Sequence, residues 1–291
     1  MHESILAFRK RRYLWVALGV IGASFVAYWI HDPQEPPNGG TWLGYTLGVV
    51  GAGLIVWLTW FGVRKRRYAS TAGTVQGWLS AHVYLGMALV VVSLLHSGFQ
   101  YGWNVHTLAL VLMLVVVISG AYGVFVYLKY PQRISENRGG VSNSELLMQL
   151  EDLDKRSVRA ARDLPPEYAE FVDSGIRRTQ LGATLWQRLR NDDQSRIVLP
   201  GGDPAGVTNA GQEAALDWLA EKQSTASDPD VAAKIGELSA LLRNKRRLMK
   251  QLAVDLKLQA SLEIWLFVHV PMTAALLVAL FAHILVVFLY W

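Results

Sequence analysis

Apolar runs too long for a soluble domain alternate with short polar ones along most of the chain. Five stretches, residues 13–30, 42–63, 78–98, 105–127 and 262–291, each hold 18 or more residues with hardly a charge. As helices rising about 1.5 Å per residue they would cross the ~30 Å hydrocarbon core of a bilayer. Tyr13, Trp42, Trp78, Tyr127 and Trp291 mark ends of these stretches, where amphipathic rings favour the headgroup layer. Residues 131–261 read differently, with charges interspersed among apolar positions at helical spacing. The pattern predicts an all-α integral membrane protein in three segments. Residues 1–130 carry transmembrane helices one to four, 131–261 form a helical insert, and 262–291 supply the fifth transmembrane helix.

Within the insert, Ser142 and Glu145 form a Ser-x-x-Glu capping box ahead of Leu146, Leu147, Leu150 and Leu153. A helix should start there and end near Asp163, before Pro165 and Pro166. Further helices are expected over residues 180–189 and 211–222. Asp228 followed by Pro229 is a good N-cap and first-turn pair for another. From Ile235 through Leu238, Leu242, Leu248, Leu252 and Leu256 the helical spacing continues, with no proline before Pro271. The simplest packing sets the Ser142 helix antiparallel to this one, with the middle helices closing a small bundle. Arg243, Lys245, Arg246 and Arg247 read as a solvated face.

Charge placement bears on orientation. The chain carries 28 Lys+Arg against 23 Asp+Glu, and the insert holds 19 of each. The remaining basic residues sit at helix ends: Arg9, Lys10, Arg11 and Arg12 before the first span, Arg64, Lys65, Arg66 and Arg67 after the second, Lys129 after the fourth. The loops 31–41 and 99–104 have neither Lys nor Arg. The positive-inside rule then expects a cytoplasmic N-terminus, a cytoplasmic insert and an outward C-terminus, in a plasma membrane of bacterial inner-membrane type. The basic N-terminal segment reads as the flank of an uncleaved first helix. Nucleic acid is not an expected partner. With no cysteine, this chain can hold no iron–sulfur cluster on thiolates, covalent c-type haem, disulfide or reactive thiol.

Two histidine pairs carry the chemistry. His82 and His96 are 14 residues apart in the third apolar run, and His269 and His283 are 14 apart in the fifth. That spacing puts both members of a pair on one helix face, ~21 Å apart along the axis. If the third and fifth helices run parallel, His82 meets His269 and His96 meets His283, giving two bis-imidazole levels. Polar rings in lipid are costly unless partnered, and default to functional suspects. Two stacked bis-imidazole sites suit two b-type haems, and two axial imidazoles leave iron no open position, favouring electron relay. Structural or proton-relay histidines are the bland alternative; metal transport usually wants carboxylate or sulfur company, which the spans lack apart from Glu263 at one end. Gly48 and Gly62 repeat the 14-residue interval in the second span, and would leave room for two macrocycle faces at the same two levels. His106 reads as a rim residue, and His2 and His31 as ordinary surface histidines. Arg64, Lys65, Arg66 and Arg67 are candidates to pair the inner haem's propionates, although orientation alone explains them. The insert has no histidine, no Gly-x-Gly-x-x-Gly, no phosphate loop and no nucleophile arrangement, so it reads as an interaction element.

The sequence resembles membrane diheme b-type cytochromes, in which His-x13-His occurs on two parallel helices. Quinol-oxidising cytochrome b shows it, with glycine pairs on neighbouring helices, as does the ferric reductase and NADPH oxidase superfamily. The likeness covers residues 42–126 and 262–291. It implies His82, His96, His269 and His283 as axial iron ligands of two haems, with quinone a further candidate ligand. The chain lacks the Pro-Glu-x-x-Tyr-like quinol motif of the first group and the flavin and nucleotide domains of the second. The expectation is an electron-transfer subunit of an oxidoreductase in a respiratory-type chain, partnered by an iron–sulfur, flavin or c-type cytochrome protein and by lipid. A stand-alone reductase passing electrons from a cytoplasmic donor to external ferric iron or oxygen is the alternative; a non-redox scaffold is a weaker one.

Overall fold

The computed structural model describes residues 5–31, 37–67, 71 and 73–289. Their order is α1 (Phe8–Ile30), α2 (Trp42–Arg66), α3 (Val75–Ser97), α4 (Val105–Arg138), α5 (Asn143–Arg162), α6 (Pro166–Arg177), α7 (Leu185–Arg190), β1 (Arg196–Ile197), β2 (Val207–Thr208), α8 (Glu213–Thr225) and α9 (Pro229–Leu289). The chain is predominantly helical, and α1, α2, α3, α4 and α9 are long and apolar enough to cross a membrane. It divides into two compact units, one of Met1–Phe125 with Trp265–Trp291, the other of Val126–Ile264. The second unit is wider than the polar stretch 131–261, because residues 126–130 of α4 and 262–264 of α9 belong to it.

In the first unit, Thr41 and Thr74 cap α2 and α3, each side-chain oxygen accepting from the backbone N–H three residues on. α3 ends at Gly98, whose φ of 56° is a left-handed cap; a side chain there would also strike the Pro37 carbonyl. Regular α1 follows Arg9, Lys10 and Arg11, which lie at positive φ. α3 packs closely on α1 and α2, with Leu43, Leu47, Val92 and Leu95 in one buried cluster. A second cluster joins Ile55 and Leu58 of α2, Leu89 of α3, Met113 of α4 and Leu276 of α9. Large apolar side chains point outward, among them Val49, Ile118, Phe267, Val278 and Phe288, all at least 69% exposed. That is the surface a bilayer would cover. Arg64 is buried, its guanidinium donating to the carbonyls of Arg67 (3.1 Å) and Gly73 (2.6 Å), so it serves the α2–α3 connection. His31 is half-buried with its ring edge-on to Trp42 at 5.2 Å, and His2 lies outside the described residues.

In the second unit, α5 starts where Ser142 accepts from the Glu145 N–H and runs antiparallel to the first part of α9. Leu146 and Leu153 bury against Leu241, Leu248 and Leu252, and Asp154 pairs with Lys245 at 2.7 Å. Asn137 continues the register, donating to the Gln251 carbonyl and to Asp255. Lys245 is 1% exposed and Arg246 pairs with Glu213 at 3.1 Å. The expected solvated basic face is therefore reduced to Arg243 and Arg247. α6, which the sequence reading passes over, begins at Pro166 and buries Tyr168, Phe171 and Val172. Phe171 stacks on Trp218 of α8 at 4.5 Å. The helix expected at 180–189 shrinks to Leu185–Arg190, since Gly182 adopts φ 53° and Thr184 forms a full capping box with Gln187. β1 and β2 pair antiparallel around the turn at Gly201–Gly202, which Arg178 clamps by donating to the Pro204 and Ala205 carbonyls. α9 begins behind Asp228, whose side chain accepts from the Asp230 N–H, and passes through Pro271.

Candidate functional site

Two levels of histidine are assembled from α2, α3, α4 and α9 within the first unit. α2 runs antiparallel to α3, so residues whose numbers sum to about 140 face each other. Accordingly the Nδ1 of His96 lies 2.7 Å from the Gly44 carbonyl oxygen and the Nδ1 of His82 lies 3.1 Å from that of Leu58. A carbonyl oxygen only accepts, so each of these Nδ1 atoms carries the proton and donates. The residues four further along α2 from these carbonyls are Gly48 and Gly62. A Cβ at Gly48 would come within 2.9 Å of the His96 ring, whereas one at Gly62 would meet nothing within 4 Å. Gly48 thus makes room for the imidazole itself, and Gly62 borders open space. Phe61 lies against His82 with ring centres 5.2 Å apart.

α4 supports the other two histidines. The Nδ1 of His269 is 2.7 Å from the Ser119 hydroxyl, which donates its own hydrogen to the Val116 carbonyl at 2.8 Å. With that hydrogen used, the serine oxygen accepts from His269. Trp265 covers the His269 ring at 5.5 Å and donates to the Ser119 carbonyl at 2.8 Å. Gly120 and Gly123 admit them: a Cβ at Gly120 would sit 3.5 Å from His269, and one at Gly123 would collide with Trp265. Thr273 donates to the His269 carbonyl at 2.8 Å, in the turn that Pro271 deprives of a backbone donor. At the other level the Nδ1 of His283 lies 2.6 Å from the Nδ1 of His106. Ser119 and His106 were not singled out as partners from sequence. Their signal is a 13-residue spacing on α4, close to the 14 on α9 that it runs against.

Across the bundle the ring centres of His96 and His283 are 5.9 Å apart and their planes cross at 79°. Seven residues from each of His96 and His283, Leu89 of α3 and Leu276 of α9 share one buried cluster. α3 and α9 therefore run in the same direction here: the structure brings His96 together with His283, and the common 14-residue interval sets His82 and His269 at the other level. Between the levels sits the cluster of Ile55, Leu58, Leu89, Met113 and Leu276. Leu89 and Leu276 each fall midway between the histidines of their helix. On the α1 side of α3 a separate cavity of about 240 Å³ is lined by Phe8, Arg9, Arg12, Tyr13, Trp57 and Trp78, among others. Trp57 stacks on Trp78 there at 4.9 Å.

Among the described residues no group of three or more His, Asp or Glu side chains is gathered to hold a metal ion. The His82 level offers two imidazoles and the His96 level three, counting His106; the Nδ1 atoms of His82, His96, His269 and His283 are engaged, so Nε2 is the nitrogen that remains on each for a ligand. No protein-family model, curated protein or solved structure matches the chain.

Proposed function

We propose that the protein is a diheme cytochrome b subunit that carries electrons across the membrane, with His82 and His269 holding one haem and His96 and His283 the other. The observation that carries this reading is the engagement of all four Nδ1 atoms by a carbonyl, a hydroxyl or a third imidazole. Metal-bound histidines are held in this way, the second nitrogen's hydrogen bond fixing the tautomer and aiming the first at the metal. The spacing fits too. Two metal–nitrogen bonds of about 2 Å, plus the offset from each Nε2 to its ring centre, separate axial ring centres by roughly 6 Å, against 5.9 Å for His96 and His283. Two nitrogens per level suffice for a tetrapyrrole, which brings four of its own.

Haem held by His82 with His269 and by His96 with His283 would supply one-electron transfer. The chain's residues orient the ligands, keep the space between the levels apolar and fix which nitrogen is protonated. By the positive-inside rule the His82 level lies toward the cytoplasm and the His96 level toward the outer face. The unit Val126–Ile264 is then cytoplasmic and docks an iron–sulfur, flavin or c-type partner of a larger redox complex. The aromatic walls of the α1-side cavity suit a quinone ring, and Ala81 places it beside the His82 level.

The protein purified from haem-replete cells is expected to show a reduced-minus-oxidised b-type spectrum and two haems per chain by pyridine haemochrome. A colourless protein from such cells rules the reading out. Ser119→Ala removes the acceptor of His269 while leaving its ring, and is expected to weaken retention of the His82–His269 haem by about 10- to 100-fold. Graded haem loss on dilution in detergent measures this; unchanged retention of both haems would detach Ser119 from the site.

A further inference from the structure

The contact between His106 and His283 gives one ligand a partner unlike those of the other three. Their Nδ1 atoms lie 2.6 Å apart, with ring centres at 4.5 Å and planes crossing at 87°. Two imidazole nitrogens at that distance share one proton, one donating and the other accepting. If Nε2 of His283 binds iron, its Nδ1 must carry the proton, and Nδ1 of His106 must accept.

We propose that His106 is a positioning residue that holds the reduction potential of the His96–His283 haem below the value its other surroundings would give. This rests on the haem reading above. Accepting a hydrogen bond from an axial imidazole raises the basicity of that ligand, and a more basic ligand favours ferric over ferrous iron. An imidazole nitrogen is a more basic acceptor than the Gly44 carbonyl on His96, the Leu58 carbonyl on His82 or the Ser119 hydroxyl on His269. The crossed rings add a second constraint, since His106 packs edge-on against His283 and limits its rotation about the Cβ–Cγ bond. His106 is in the first turn of α4 and His283 in the last part of α9; Ser119 joins the same two helices at the other level, so what sets this haem apart is the imidazole as acceptor.

The test is a redox titration of both haems in full-length protein, comparing wild type with His106→Phe and His106→Gln. In His106→Phe both haems should remain, with one midpoint moved positive and the other unchanged; the moved haem should be the one missing from His283→Ala. His106→Gln, whose amide oxygen can accept, should return the midpoint toward wild type. Unchanged midpoints in His106→Phe, or equal shifts of both haems, overturn the role of His106 while leaving the haem reading intact. If phenylalanine expels the haem, glutamine decides: retention with a near-wild-type midpoint supports the proposal, and loss there too overturns it in favour of a packing role. A wild-type protein without haem overturns both together.

Discussion

Replacing either His96 or His283 with alanine is expected to lower the haem content from two per chain to one, with the same haem lost from both variants. His82→Ala and His269→Ala should each lose the other. The expectation follows from pairing across helices: the rings of His96 and His283 are 5.9 Å apart, while the other two histidines are ~21 Å away along the axis. A haem with one protein ligand is held far less tightly than one with two, so either truncation should empty its level. The apolar cluster between the levels holds no imidazole; at the outer level His106 stands beside His283, so His283→Ala is also measured in a His106→Phe background, where no substitute ring is left. Potentiometric titration of each variant against wild type would identify the surviving haem by its midpoint. Loss of different haems from His96→Ala and His283→Ala would refute the pairing, and loss of both from any one variant would show that the levels assemble together.

The second large effect is one of stability, in the unit Val126–Ile264. The Lys245 side chain is 2% exposed and pairs at 2.7 Å with Asp154, whose side chain is 21% exposed. The two ends of this pair are not equivalent. Asp154→Leu leaves a buried ammonium without its counter-charge, and is expected to cost about 3–5 kcal/mol. Lys245→Met leaves a carboxylate that can turn to water and fills the site with apolar volume, so its cost should stay within about 1 kcal/mol. Proteolytic cleavage within residues 126–264 against chaotrope, in detergent, reads the difference. Equal destabilisation by the two substitutions would show that the lysine reaches solvent when unpaired.

The order of these effects reflects what the sequence makes legible. Fourteen-residue spacing survives any detail of packing because it depends only on helix pitch, so His82, His96, His269 and His283 stand out before the helices are assembled. Gly48 carries part of that signal, but its role is to admit the His96 ring; Gly62 shares the interval and touches no histidine. Ser119 and His106 are ordinary polar residues until α4 is rotated and set antiparallel to α9, and neither rotation nor direction is written in their immediate neighbours. In the second unit the Ser142 cap and the Asp228–Pro229 start are local devices and mark α5 and α9 correctly. α6 had signals of its own, Pro166 at N1 with Tyr168, Phe171 and Val172 at helical spacing, hidden by reading Pro165–Pro166 only as a stop. Lys245 among three arginines looks solvated because its partner Asp154 is 91 positions away; burial of a charge is a tertiary fact. The short pair β1 and β2 is held by Arg178 and by the buried Ile197 more than by propensity.

On the diheme proposal, the layer of Ile55, Leu58, Leu89, Met113 and Leu276 would have a consequence for energy conversion. Electrons can tunnel through hydrocarbon, but protons need a chain of hydrogen-bonding groups, and these five side chains provide none. An electron passing between haems on either side of the layer would travel without a compensating proton, as charge moves between the plates of a capacitor. Full crossing of a 100 mV potential involves about 2.3 kcal/mol per charge, and the ~21 Å between levels spans roughly two-thirds of a ~30 Å core. Each transfer would therefore work with or against the field by about 1.5 kcal/mol, so that turnover in sealed vesicles should respond to an imposed voltage even where donor and acceptor are held constant.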